Sequence, residues 1–258
     1  MSKIHFFTEG TGPAVILIHG YCEIGMMWSD FAKALSEDFQ IFCPDLPGFG
    51  KSILPHGEIS LEETAVVLEE WMEENAIENP IIIGHSLGGY VALALLELMG
   101  NKIKGIGLFH STAFADDAEK KEMRNRAIQF LKKNGVEKFV TSFVPPLFSE
   151  AHREEFADAI DLAIEQARQS TLGGLIAFMA AMRDRKDRFE VLKNFQGPKL
   201  MIAGTEDGAV KIEASRQQKT AFTDYVELEG TGHMGMIEEK ERTLEIVRGF
   251  CEKTSLKS

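Results

Sequence analysis

The sequence predicts an α/β fold with a mostly parallel sheet and helices on both faces. Three observations predict it. Continuous apolar runs such as Ala14–Ile18 and Ile81-Ile82-Ile83 lack polar alternation, as strands buried on both faces require. Segments with helical spacing lie between these runs, and strand–helix alternation implies parallel neighbours. At residues 81–96 an apolar strand enters a glycine-flanked turn and leaves as a buried helix. The length of 258 residues suits one large domain or a core with an insertion.

The elements follow in order. Residues 4–8 can form a short edge strand, and Gly10-Thr11-Gly12-Pro13 is a turn. The strand at Ala14–Ile18 stops at His19-Gly20-Tyr21-Cys22. Trp28, Phe31, Ala32 and Leu35 fall at helical spacing. Residues 39–43 read as the next strand, ending in the loop Pro44-Asp45-Leu46-Pro47-Gly48-Phe49-Gly50-Lys51-Ser52. Ser60 with Glu63 makes a capping box for a helix through Trp71 and Met72. Asn79-Pro80 breaks before the strand at 81, and residues 103–110 read as another strand. From 113 to 192 no convincing strand is present. Residues 116–133, 139–148 (broken by Pro145-Pro146), 154–168 and 175–182 read as a helical insertion of about four elements. The alternation then returns: strand 199–203, helix 212–220, strand 225–228 and a closing helix 239–252. The expected division is therefore a core at 1–112 and 193–258 with a helical cap at 113–192.

Charge and cysteine count narrow the function classes. A formal charge of -12 argues against nucleic acid and anionic membranes as partners. Three cysteines, Cys22, Cys43 and Cys251, form no disulfide framework and fit reduced thiols. The first ten residues carry no apolar h-region and no apolar run approaches membrane-spanning length, so a cytoplasmic protein is expected.

The chemistry centres on Gly84-His85-Ser86-Leu87-Gly88. In a strand–turn–helix context, G-x-S-x-G places a serine hydroxyl on a sharp turn above the sheet, at a helix N-terminus that favours negative charge. A serine needs an adjacent base, itself oriented by an acid. Of seven histidines, His233 is the candidate base: it sits in Gly230-Thr231-Gly232-His233-Met234-Gly235, between the last strand and the last helix. His85 precedes the serine and points elsewhere, and His19 orders its own loop. His5, His56, His110 and His152 read as surface or structural. Gly204-Thr205-Glu206-Asp207-Gly208 follows a strand and offers both Glu206 and Asp207 as the orienting acid. The position after residues 103–109 carries His110-Ser111-Thr112 and no carboxylate. An oxyanion needs backbone N–H donors. Leu87 supplies one, and the His19-Gly20-Tyr21 loop, where Gly20 permits close approach, supplies the other.

These stretches resemble the α/β-hydrolase superfamily, and within it the esterase, enol-lactonase and perhydrolase-like branch with a helical cap. The likeness is carried by His19-Gly20-Tyr21, Asp45-Leu46-Pro47-Gly48-Phe49-Gly50-Lys51-Ser52, Gly84-His85-Ser86-Leu87-Gly88, Gly204-Thr205-Glu206-Asp207 and Gly232-His233 with Glu238 beyond. The resemblance implies an α/β-hydrolase fold with the cap inserted after the sixth core strand. It implies Ser86 as nucleophile, Asp207 as acid, His233 as base, and Tyr21 and Leu87 as oxyanion N–H donors, with no metal or organic cofactor. Two departures stand out. The loop after the acid lacks the family's proline, reading Asp207-Gly208-Ala209-Val210, and the N-terminal hairpin is short. Serine in place of aspartate argues against the haloalkane dehalogenase and epoxide hydrolase branches.

Candidate apolar walls for a substrate are Met26, Phe143, Phe148, Phe178, Met182 and Met234, although the same residues can simply pack cap to core. The expected partner is a small-molecule ester or lactone, cleaved through an acyl-enzyme on Ser86. The same triad could serve C–C bond hydrolysis or perhydrolysis, and a hydrolase fold can also serve as a small-molecule receptor.

Overall fold

The computed structural model describes residues 4–55 and 59–256; His56 therefore lies outside the described residues. Seven strands form one sheet: β1 (Phe6–Glu9), β2 (Ala14–Ile18), β3 (Gln40–Pro44), β4 (Ile81–His85), β5 (Gly105–Phe109), β6 (Lys199–Gly204) and β7 (Asp224–Leu228). Their order is β1-β3-β2-β4-β5-β6-β7. β1 runs antiparallel to β3, and every other pair is parallel. The apolar runs are the inner strands: β4, β5 and β6 are buried along their whole length.

Strand order creates a crevice at one edge of the sheet. From β2 the chain goes outward to β3, then returns to place β4 on β2's other side, with Ile18 opposite Gly84. This reversal of winding direction opens the crevice beyond the carboxyl ends of β2 and β4.

The helices are α1 (Ser29–Leu35), α2 (Leu61–Glu74), α3 (Leu87–Met99), α4 (Ala118–Phe143), α5 (Ala157–Ala167), α6 (Leu172–Asp184), α7 (Phe189–Asn194), α8 (Ile212–Gln218), α9 (Gly235–Glu238) and α10 (Lys240–Ser255). α2 packs on α3, and α1 on α10. The capping box forms: Glu63 N–H donates to Ser60 Oγ, and Ser60 N–H donates to Glu63 Oε2 at 2.7 Å. α3 is buried on all sides from Leu87 to Leu96, as its unbroken apolar sequence requires.

Three boundaries differ from expectation. The helical insertion leaves the core after β5, the fifth strand, because a single strand precedes β2 among the described residues. α4 does not stop near residue 133. It continues to Phe143 across a kink at Gly135, whose φ of 78° and ψ of 179° interrupt the helix without ending it. The expected boundary at 192 falls inside α7, which runs to Asn194.

A buried ion cluster braces the root of the insertion and meets the core at α3. Asp116, with its side chain fully buried, takes Arg185 Nη1 at 2.7 Å and Arg124 Nε at 2.5 Å. Arg185 lies 4.1 Å from the centroid of the Tyr90 ring of α3. All three cysteines are free and buried, and burial pushes their thiols above the ordinary range. No helix among the described residues is long and apolar enough to cross a membrane.

Removing one member of a buried ion pair strands the other. Asp116→Ala is expected to lower unfolding stability by roughly 3–5 kcal/mol, measured by urea denaturation. A loss under about 1 kcal/mol, the worth of an exposed pair, would show that the cluster does not hold the insertion down.

Candidate active site

Ser86 stands between β4 and α3 with φ 50° and ψ −113°, a backbone region that costs a non-glycine residue about 1–3 kcal/mol. Its surroundings force the conformation. Ser86 N–H donates to Phe109 O at 2.9 Å, and its carbonyl accepts Ser111 Oγ at 2.8 Å and Gly89 N–H at 3.0 Å. The turn closes so tightly that a Cβ on Gly84 would meet Gly88 C and O at 2.2 Å. One on Gly88 would meet Ile18 O at 2.3 Å. Glycines two before and two after the serine are therefore a steric requirement. Ser86 is half-buried, and among the described residues its Oγ has no hydrogen-bond partner.

Two strand-end loops bring a histidine and a carboxylate to this turn. Asp207, after β6, is buried, and His233 Nδ1 donates to its Oδ2 at 2.7 Å. Glu206 is exposed. Asp207 Oδ1 accepts Ala209 N–H and Val210 N–H, each at 2.8 Å. A proline at either position would remove one of these donors, so the loop orients its carboxylate through residues that keep their N–H. His233 is held from both sides of its own backbone: its N–H donates to Leu147 O at 2.6 Å, and its carbonyl accepts His85 Nε2–H at 2.9 Å. Glu238 of α9 gathers Gly232 N–H, Met234 N–H and Ser149 N–H, clamping the histidine loop to the helical insertion.

The sequence pattern did not reveal His110. It follows β5 directly, at φ 48°, and its Nδ1 lies 3.1 Å from the same Asp207 Oδ2. Two imidazoles thus share one oxygen. Burial pulls His110 down to about 4, so the ring is neutral, and its Nδ1 stands within hydrogen-bond distance of both the Asp207 carboxylate and Gly204 N–H, the latter at 3.2 Å. Its Nε2 is buried without a partner. Burial by itself pushes the Asp207 carboxyl up, but the charge of His233 and the hydrogen bonds of His110 and His233 outweigh it and hold the group well below the carboxylate range. Burial lowers His233, and the Asp207 charge and hydrogen bond, with Glu23 and Glu238, reverse that to a net rise above 6.5. The ligand-type atoms of His110, Asp207 and His233 lie within 4.8 Å of one another.

The remaining loop comes from β2. His19 Nδ1 donates to Gly20 O at 2.7 Å and its Nε2 accepts Leu46 N–H at 2.9 Å, so His19 orders its loop as expected. Gly20 N–H is taken by the buried Glu23. Tyr21 N–H and Leu87 N–H have no acceptor among the described residues, which is rare for buried backbone donors.

Of the expected apolar walls, Met26 and Met234 line a cavity of about 400 Å³ between α1, α5 and α9, together with Glu23, Phe31, Phe156 and Ala163. Phe143 lines a second cavity of about 310 Å³ with Phe130 and Phe139. Phe148, Phe178 and Met182 are buried and line neither. Phe178 packs against Phe49 at 5.3 Å between centroids, joining insertion to core.

The family profile described as alpha/beta hydrolase family matches residues 15–246. The chain belongs to the alpha/beta hydrolase family. Among curated relatives of this hydrolase-family chain, haloalkane dehalogenase 2 of Mycobacterium bovis is 30% identical over 107 residues, 41% of this chain and 37% of that protein. The chain thus spans little more than a third of that relative. The pimeloyl-[acyl-carrier protein] methyl ester esterase of Vibrio vulnificus is 27% identical over 230 residues, 86% of each chain. Among solved structures, a thermophilic esterase from Thermogutta terrifontis superposes with a TM-score of 0.91 at 25% identity, covering 97% of this chain and 93% of that one. The enol-lactonase of Burkholderia xenovorans shares the fold, with a TM-score of 0.89 at 21% identity and 96% of each chain covered.

Asp207 is depressed on folding, so its stabilisation is present above its unfolded value and is lost as pH falls below it. His233 is raised, so its share is complete at low pH and fades as pH rises through its folded value. Between about pH 5 and pH 2 the wild type is therefore expected to lose stability more steeply than Asp207→Asn, read by chemical denaturation at each pH. Parallel slopes would contradict an ionised Asp207 held by two histidines.

Proposed function

We propose that this protein is a cofactor-independent serine hydrolase that cleaves a small apolar carboxylic ester or lactone. The observation that carries the reading is Ser86 on its strained turn at the head of α3, beside a hydrogen-bonded Asp207–His233 pair. Ser86 Oγ attacks the carbonyl carbon while His233 Nε2 takes the hydroxyl proton. Asp207 fixes the ring through Nδ1–H and stabilises the imidazolium that forms. The tetrahedral oxyanion lies against Tyr21 N–H and Leu87 N–H, which have no acceptor among the described residues. Collapse expels the alcohol, protonated from Nε2. Water, deprotonated by His233, then attacks the acyl-enzyme and frees Ser86. The Ser86–His233 hydrogen bond that this step needs forms when substrate is bound, since catalytic hydrogen bonds are commonly long or unmade in the free enzyme.

The esterase relative that matches 86% of the chain supports ester chemistry. The dehalogenase relative does not transfer its reaction, because the elbow carries serine and not a carboxylate. We assign the apolar arm of the substrate to the wall formed by Met26, Phe31, Phe156 and Met234, the neighbour of His233 in sequence, in a cavity that Glu23, Asp30 and Lys240 also line. Helices α4–α7 act as the cap that sets this specificity, and buried free thiols fit a reducing compartment.

Ser86→Ala is expected to lower turnover of p-nitrophenyl esters by about 10⁴-fold or more and to abolish fluorophosphonate labelling. Retained turnover would remove Ser86 from the mechanism. The base acts when neutral and its proton affinity is raised, so kcat/KM should fall on acidification with a midpoint above about 6.5. A rate that holds flat to pH 5 would exclude His233. Ala163→Trp, on the cavity wall, should depress octanoate ester turnover relative to acetate by roughly 10-fold. An unchanged chain-length profile would place the acyl arm elsewhere.

A further inference from the structure

Glu23 lies four residues beyond His19 and is buried. Its Oε2 accepts Gly20 N–H at 2.5 Å and sits 2.9 Å from His85 Nδ1. The other side of that ring, His85 Nε2, lies 2.9 Å from His233 O. One carboxylate oxygen and one imidazole thus join the loop after β2, the turn after β4 and the loop after β7. These are the three segments that carry the proposed oxyanion donor, nucleophile and base. The packing is close: a Cβ on Gly20 would stand 2.7 Å from His85 Nδ1 and 2.8 Å from Glu23 Oε2.

The proton count follows from the partners. A carbonyl only accepts, so His85 Nε2 carries a hydrogen. Burial raises Glu23, but its interaction and hydrogen bond with His85 and its hydrogen bond from Gly20 N–H outweigh that and hold the carboxyl below its ordinary range. Both nitrogens of the His85 ring therefore face acceptors, the Glu23 carboxylate at Nδ1 and the His233 carbonyl at Nε2, and the ring spans the two loops.

We propose that Glu23 is a positioning residue that, through His85, locks the oxyanion loop, the Ser86 turn and the His233 loop into one geometry. This rests on the proposed serine hydrolase activity. Glu23 lines the cavity assigned to the substrate's apolar arm, but its hydrogen bonds go to Gly20 and His85 and to no reacting atom. It acts by holding Gly20, hence the neighbouring Tyr21 N–H, and by holding the His233 carbonyl, at fixed distance from the serine turn. Misplacement by about 1 Å costs roughly 10²-fold in rate. Glu23 also bears on His233 as a charge. The groups around His233 are Asp207 after β6, Glu23 after β2 and Glu238 on α9, with the imidazoles of His85 and His110. Glu23 and Glu238 both add to the rise that Asp207 produces.

The test is Glu23→Met. The thioether keeps the bulk and loses the charge and the carboxylate oxygen that Gly20 N–H and His85 Nδ1 share. Neither group then has its partner at residue 23, and the three segments lose their common tie. Rates are normalised to the sites titrated with a fluorophosphonate, so only folded, reactive enzyme counts. The expected result is a kcat lower by roughly 10²-fold with KM changed far less, and an acid limb of the pH profile moved to lower pH. A role in stability alone would lower the melting temperature and leave kcat per site and the acid limb unmoved, overturning the proposal. Glu23→Met with His85→Phe removes the pair together while keeping bulk, an exchange that buried ion pairs commonly tolerate. It should show the same kcat loss and the same pH shift. If both variants fail to fold, Glu23 belongs to the fold and not to the site, and the proposal falls. An unlabelled wild type overturns the serine hydrolase activity and this proposal with it, whereas wild-type kcat in labelled variants overturns this proposal alone.

Discussion

Ser86 is held at φ 50° and ψ −113°, where an L-residue stays only if its surroundings leave no alternative. Those surroundings are the central strands. β4 delivers the chain to the turn, the end of β5 accepts its N–H, and Gly88 lies against the last carbonyls of β2. A serine strained in this way depends on the sheet around it. The energy that holds it comes from the apolar packing of β4 and α3, both buried throughout the region.

The same sheet order explains why the polar groups converge. β2 and β4 are neighbours across the point where winding reverses, so their C-terminal loops face each other. β5 and β6 continue the row and bring His110 and Asp207 to the same edge, and the loop after β7 closes over them with His233. The site is accordingly a row of strand ends, each contributing one or two side chains. Its electrostatics are those of a buried cluster: two imidazoles offset the desolvation of Asp207, and a third offsets that of Glu23.

The helical insertion adds constraint from above. Leu147 O takes the His233 N–H and Ser149 N–H meets Glu238, so the segment after α4 holds the histidine loop as well as covering it. The insertion is itself anchored at its root by the Asp116 cluster and along its length by contacts such as Phe178 on Phe49. This coupling ties the geometry of the proposed base to the part of the chain proposed to select substrate.

Sequence alone determined the features with local signatures. Glycine spacing around Ser86 marked the turn, because only a missing Cβ permits it. Apolar runs marked all seven strands to within a residue or two, and Ser60-Glu63 marked the start of α2. Asp207 and His233 were legible because each follows a strand and stands among glycines, although the choice between Glu206 and Asp207 needed burial to decide it. His110 also follows a strand, but a carboxylate was the group expected at that position. Glu23 and the role of His85 had no sequence signal. Their partners lie 62 and 148 residues away, so nothing local distinguishes them from any other acid or histidine. Only the tertiary structure could decide them, because a hydrogen bond between distant loops is set by the strand order that brings those loops together.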